Sequence, residues 1–164
     1  MRHKIVDVLS KLLYIPYVMF SVKTEYALRA LSQIANSPKT TKRSDIAEKE
    51  NIPVHFLEQI LLALKKKNII ISRKGPGGGF ELAKPLSRIT LWEVFSAVEF
   101  SDNEPLAESC YPGYIKECHV ESDCHIRSIW IQLRKDMEAS MKKIRLGILL
   151  PSGKQKEAEN AVSC

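Results

Sequence analysis

The stretch SDIAEKENIPVHFLEQILLAL, Ser44 to Leu64, decides how this chain is read. Ser44 can cap a helix that opens on Asp45-Ile46-Ala47-Glu48, whose acidic side chains favour a helix N-terminus. Asn51-Ile52-Pro53 then interrupts, and Pro53 suits the first turn of a new helix, where its missing amide hydrogen has no intrahelical partner to lose. In that new helix Leu57, Ile60, Leu61 and Leu64 fall on one face, while His55, Glu58 and Gln59 fall towards its exposed, N-terminal side. Two short helices across a tight break, the second opening with hydrogen-bonding side chains, form the arrangement that places a recognition helix in a major groove. An ordinary helical hairpin has the same local pattern.

Working outward, Tyr26, Ala27, Ala30, Leu31 and Ile34 recur at helical spacing and predict a first helix over Glu25 to Ala35, broken by Asn36-Ser37-Pro38. After the break, Lys39, Lys42 and Arg43 make a basic turn. Downstream, Ile69-Ile70-Ile71 predicts a strand, Gly75-Pro76-Gly77-Gly78-Gly79 a turn, and Phe80-Glu81-Leu82 a second strand. Four of the seven glycines lie in this one loop, so its backbone needs positive φ angles or a close approach to another molecule. A phosphate-binding P-loop would need Lys-Ser/Thr and a helix after the last glycine; here Phe80 follows, in an extended pattern, which excludes nucleotide hydrolysis by that device. A basic, glycine-rich hairpin directly after a helix-turn-helix reads as a wing lying along the phosphate backbone or in the minor groove. Thr90 caps a fourth helix through Leu91, Val94, Phe95 and Val98.

Charge is divided along the chain. The 164 residues carry a net charge of +6, made of +2 over residues 1–20, +5 over 21–99, −5 over 100–125 and +4 over 126–164. The basic 21–99 segment suits a polyanion, because Lys and Arg that replace condensed counterions supply most of the sequence-independent affinity for nucleic acid. Four cysteines are too few for a secreted disulfide scaffold, and a chain of this length buries enough apolar surface without one. No window of about 18 apolar residues is available to span a membrane, and no membrane partner is expected. Residues 1–18 begin with basic residues and an apolar run interrupted by Asp7, Lys11 and Pro16, without a small-residue cleavage site. They are read as a disordered extension or as upstream of a true start at Met19, and the chain as cytoplasmic.

Cys110, Cys118 and Cys124 cluster within fifteen residues, among six acidic residues and one lysine. Such a field opposes thiolate formation by a free thiol, whereas a bound metal centre stabilises several thiolates together. The spacings C-x7-C and C-x5-C match neither zinc knuckles nor ferredoxin runs, and three thiolates leave a fourth position to be filled. His119, His125, Glu121 and Asp123 stand nearby. Three unconnected loop cysteines remain an alternative. Beyond them Ile126, Trp130, Leu133, Met137, Met141, Ile144 and Ile148 step by three or four residues, a seam of about six turns that a second copy of the chain would cover. Pro151-Ser152-Gly153 ends it, and 151–164 is read as a disordered tail.

Glu25-Tyr26-Ala27-Leu28-Arg29-Ala30-Leu31, Asp45-Ile46-Ala47, Phe56-Leu57-Glu58-Gln59-Ile60-Leu61, Gly75-Pro76-Gly77-Gly78-Gly79-Phe80 and the three cysteines together resemble the Rrf2 family of bacterial regulators, which includes IscR-like, NsrR-like and CymR-like members. The resemblance runs from about Phe20 to Leu150. It implies a mainly α fold with a small β-hairpin wing: a winged helix-turn-helix DNA-binding domain over 19–99, a cluster-binding loop over 100–125 and a long C-terminal dimerisation helix over 126–150. It further implies a homodimer on a palindromic site in double-stranded promoter DNA, acting as a repressor or activator rather than an enzyme. Cys110, Cys118 and Cys124 become ligands of an iron–sulfur cluster, 2Fe–2S or 4Fe–4S. The histidine that completes the set in IscR-like members is replaced by Arg127, which cannot ligate. NsrR-like members use a carboxylate from the first helix of the other subunit, a position matched by Glu25, with His125 as the second candidate. Sensing of nitric oxide, redox or iron status is the implied signal.

On the DNA side the resemblance matches Glu58 and Lys74 to base-reading positions, with His55 and Gln59 beside them. Arg43 and Ser44 at the start of the second helix, Arg73 at the base of the wing, and Gly77 and Gly78 at its tip complete the expected contacts. A metal-free regulator switched by thiol–disulfide chemistry, CymR-like, is the alternative, and an iron–sulfur electron carrier a more distant one.

Overall fold

A computed structural model describes residues 21–100 and 127–150. The cysteine segment, the N-terminal extension and the tail lie outside the described residues. The elements are α1 (Val22–Asn36), α2 (Arg43–Glu50), α3 (Val54–Lys66), β1 (Ile70–Arg73), β2 (Gly79–Leu82), α4 (Leu91–Glu99) and α5 (Arg127–Lys143), with single 3-10 turns at Leu86–Arg88 and Leu146–Leu149. The fold is mainly α, with a two-stranded antiparallel hairpin as the described sheet.

The core is where the apolar periodicity puts it. Ala27, Leu31, Leu57, Leu61, Leu64 and Val94 are each fully buried, joining α1, α3 and α4. Burying one such leucine contributes about 1.5–3 kcal/mol, which explains why this short set of helices holds together. Ser21 caps α1, accepting from the Lys23 amide at 3.1 Å. Thr90 and Glu93 form a reciprocal capping box at α4, as the sequence indicates.

The break between α2 and α3 rests on Asn51, which adopts a left-handed conformation at φ 51°. Asparagine tolerates that region better than other residues with a side chain. The reversal lets the Ile52 amide reach back to the Ala47 carbonyl at 3.0 Å while the Ile52 side chain drops into the core. Asn68, at φ 53°, ends α3 in the same way, with the Ile69 amide on the Leu64 carbonyl at 3.0 Å.

Three details differ from the sequence reading. Helix α2 begins two residues earlier: Lys42 is its N-cap, without a side-chain cap, and Ser44 lies inside the first turn, where its hydroxyl donates to Asp45 Oδ1 at 3.0 Å. A capping residue needs an extended backbone of its own, and Lys42, at φ −72° and ψ 149°, is the residue that has it. Pro53 is the N-cap of α3 rather than its first helical residue. Finally, the C-terminal helix stops at Lys143 instead of continuing to Ile148. There the backbone is captured by the strand-like segment before α4: the Leu91 amide donates to the Ile144 carbonyl, and the Leu146 amide to Ile89, both at 2.9 Å. Leu146 and Met141 thereby enter the main core, 2% and 4% exposed. Gly147 also weakens any helical continuation by about 1 kcal/mol relative to alanine.

Candidate nucleic-acid interface

The recognition helix α3 buries Leu57, Ile60, Leu61 and Leu64 and turns His55, Glu58 and Gln59 outwards. His55 and Gln59, one turn apart, are linked by a 3.2 Å contact between ring nitrogen and amide. Gln59 also lines a shallow groove with Lys23, Phe56, Ile60, Ala63 and Val98. Glu58 forms an ion pair with Arg43, which projects from the first residue of α2. Two residues expected to touch DNA separately are therefore partners of one another.

The wing pairs Ile70 with Leu82, Ile71 with Glu81, Ser72 with Phe80 and Arg73 with Gly79. Arg73 reaches diagonally to Glu81, placing Nε at 2.9 Å and Nη2 at 2.7 Å from one carboxylate oxygen. That hydrogen bond and the accompanying charge attraction push the Arg73 pKa further above its ordinary value, so the guanidinium is a fixed, partly neutralised cation. Lys74, at the start of the loop, has no ion pair among the described residues, and neither do Lys39 and Lys42.

The glycines of the loop divide into two kinds. Gly75 and Gly77 have φ of 98° and 82°, with open space where a side chain would go. Gly78 and Gly79 are needed for closeness: a Cβ on Gly78 would lie 2.4 Å from the Arg73 carbonyl oxygen, and one on Gly79 2.6 Å from that of Thr41. Thr41 is a contributor the sequence reading missed. It pairs with Phe80 through two 2.9 Å backbone bonds, so the segment before α2 acts as a third edge of the wing. Thr40 adds a 2.6 Å bond from its hydroxyl to the Gly77 carbonyl. The β-branched pair Thr40-Thr41 is the one local signal that could have marked it. With Lys39 and Lys42 flanking this edge, the helix-turn-helix, the wing and an unpaired basic segment form one continuous assembly.

This geometry agrees with what the chain is similar to. Residues 20–152 match the family described as "Rrf2: Iron-dependent Transcriptional regulator". The chain belongs to the Rrf2 family. The HTH-type transcriptional regulator IscR of Klebsiella pneumoniae (strain 342) is 32% identical over 146 residues, covering 84% of this chain and 86% of that protein. Among solved structures, T. potens IscR superposes with a TM-score of 0.57 at 22% identity, covering 86% of this chain and 88% of the other. CymR, the global cysteine regulator of B. subtilis, gives 0.56 at 24%, covering 77% and 92%. This Rrf2 protein is thus a winged helix-turn-helix transcriptional regulator, not an enzyme, and its partner is DNA. No helix among the described residues is long and apolar enough to cross a membrane.

Of the expected metal ligands, Cys110, Cys118, Cys124 and His125 lie outside the described residues. Glu25 is in the first turn of α1, part-exposed, with Arg29 Nη1 3.9 Å away. Arg29 is held more closely by Glu50, Nε to carboxylate 3.4 Å, which leaves the Glu25 carboxylate only loosely engaged. Glu99, the last residue of α4, accepts hydroxyl hydrogen bonds from Ser21 and from buried Thr24. The chain therefore enters the cysteine segment from a point fastened to the same turn that bears Glu25. Among the described residues no group of three or more His, Cys, Asp or Glu could hold a metal. A donor set of three thiolates plus this carboxylate is chemically suited to an iron–sulfur centre, thiolates being its usual ligands.

Proposed function

We propose that this Rrf2 regulator works in the cytoplasm as a homodimer on palindromic promoter sites, as a repressor whose grip depends on an iron–sulfur cluster. Cys110, Cys118 and Cys124 are its ligands, with Glu25 of the other subunit as the fourth and His125 as the second choice. The observation that supports this most is the weakly paired Glu25 carboxylate: Arg29 is held more closely by Glu50, which leaves a carboxylate in the first turn of α1 available to the cysteine segment of a second copy. When bound, an iron–sulfur cluster would supply a link that nitric oxide, oxidation or iron scarcity can break.

The protein's own residues then do the rest. Ile129 and Leu133, 64% and 47% exposed on α5, form an apolar face suited to a second copy. In such a dimer each α3 meets a half-site on one face of the duplex, and simultaneous engagement raises affinity only while the two heads keep their spacing. A Glu25 that serves the cysteine segment of the other subunit would connect that spacing to the occupancy of the segment.

The test is anaerobic purification with iron and sulfide analysis, a visible spectrum, and DNA binding before and after nitric oxide. Coloured, iron-containing protein that releases its promoter on nitric oxide exposure supports the proposal, and loss of colour in Glu25→Ala supports the fourth ligand. Colourless protein with undiminished binding would refute it. A metal-free thiol switch is the second reading, favoured by a likeness to CymR as close as that to IscR; it requires iron-free protein whose binding responds to oxidation and reduction.

A further inference from the structure

We propose that Arg43 is a positioning residue for base reading: from the first turn of α2 it holds the Glu58 carboxylate of α3 at the DNA-facing surface, so that Glu58 accepts a hydrogen bond from the N4 amino group of a cytosine. This rests on α3 being the recognition helix. The two residues come from different helices on either side of the Asn51 turn, and their side chains are 49% and 46% exposed. An ion pair so exposed contributes little to folding. Its consequence lies at the DNA surface instead. A lone carboxylate brought to a duplex meets a dense array of phosphate charge, and only a nearby cation lets it approach. A carboxylate is also an acceptor without a hydrogen to donate, so in the major groove it suits the cytosine amino group and disfavours the acceptor edge of guanine.

Arg43 supplies both requirements. Its Nη1 donates to Glu58 Oε1, which holds that oxygen from the α2 side. Its charge leaves the pair neutral. The neighbouring groups do not substitute for it: His55 and Gln59 are engaged with one another, Asp45 is acidic, and Lys42 makes no ion pair with Glu58.

The experiment selects duplexes from a randomised pool with the full-length protein, then measures wild type, Arg43→Ala, Arg43→Lys, Glu58→Gln and the Arg43→Ala/Glu58→Gln double variant on the selected duplex and on versions with each base replaced. Urea unfolding is followed in parallel to confirm that each variant folds. Wild type is expected to prefer one cytosine per half-site. Arg43→Ala should bind the selected duplex roughly tenfold more weakly, the lower end for one specific contact, with its cytosine preference blurred and Arg43→Lys partly restoring both. The double variant should bind more tightly than Arg43→Ala, because the uncompensated carboxylate is gone, yet show no cytosine preference. If Arg43→Ala weakens all sequences equally and keeps the preference, or if the two substitutions simply add, Arg43 is a phosphate contact and the positioning role is overturned. Wild type that selects no sequence would overturn the assignment of α3 itself, a separate result.

Discussion

Replacing Gly79 by alanine tests how the wing is held to the body of the domain. The added Cβ would sit 2.6 Å from the Thr41 carbonyl oxygen and 2.8 Å from its carbon, against the 3.4 Å at which ordinary contact begins. Both atoms belong to backbone, so no side chain can swing aside, and β2 must separate from Thr41. That separation breaks both 2.9 Å bonds between Thr41 and Phe80. Thr41 is 7% exposed, so its amide and carbonyl do not find water in exchange. Leaving two buried backbone groups unpaired costs about 2–6 kcal/mol at the usual 1–3 kcal/mol for each. Gly77→Ala is the matched control: nothing lies within 4 Å of its Cβ, and only its positive φ of 82° resists substitution, a penalty of about 1 kcal/mol. Urea unfolding of the two variants should rank Gly79→Ala well below Gly77→Ala. Amide exchange should show Thr41 and Phe80 unprotected in the former and protected in the latter. Equal unfolding midpoints, or intact protection at Thr41 and Phe80 in Gly79→Ala, would refute the reasoning.

The capping box gives a pH prediction. Burial opposes the Glu93 charge, but hydrogen bonds from Lys84 and from the Thr90 amide and hydroxyl outweigh it and hold its pKa below the ordinary glutamate range of about 4.3. A carboxyl with a depressed folded-state pKa stabilises the fold above its unfolded value, and that contribution is lost as pH falls through the folded value. Stability should decline below about pH 4.3, less steeply in Glu93→Gln, and Thr90→Ala should cost about 1 kcal/mol at neutral pH; an identical acid limb in Glu93→Gln would count against this. For the wing, Lys74→Ala should reduce the slope of log affinity against log salt by about one, whereas Glu81→Gln, which releases Arg73 from its pair, should increase it by about one. Titrations at several salt concentrations check both signs, and changes in the same direction would dismiss the assignment of a free lysine and a neutralised arginine.

The sequence disclosed what is local and concealed what is distant. Leu57, Ile60, Leu61 and Leu64 were legible because helical period and burial are the same fact seen twice. The hairpin was legible because few residues besides glycine adopt the φ of Gly75 and Gly77. The Thr41–Phe80 bridge and the capture of Ile144 by Leu91 join residues far apart in the chain, and no periodicity records such pairings. The start of α2 shifted by two residues for a related reason: the cap falls where the backbone passes from extended to helical, at Lys42, directly after the Thr41 that bridges to Phe80.

The interface shows the same division in its charges. A run of sequence adds charges, whereas a folded surface pairs them. Residues 21–99 sum to +5, yet the two arginines that composition would place first on DNA are bound to glutamates, Arg43 to Glu58 and Arg73 to Glu81. The forked guanidinium prefers carboxylate partners, and the ammonium of lysine, more strongly hydrated, is left exposed. Lys39, Lys42 and Lys74, lying along the Thr41 edge and the wing, are thus the cations placed to displace counterions. The arginine–glutamate pairs instead bring fixed, nearly neutral acceptors to the same surface. Affinity and selectivity consequently reside in different residues, which is why Lys74 and Arg43 should fail in different ways: one through the salt dependence on every duplex, the other through the identity of a single base.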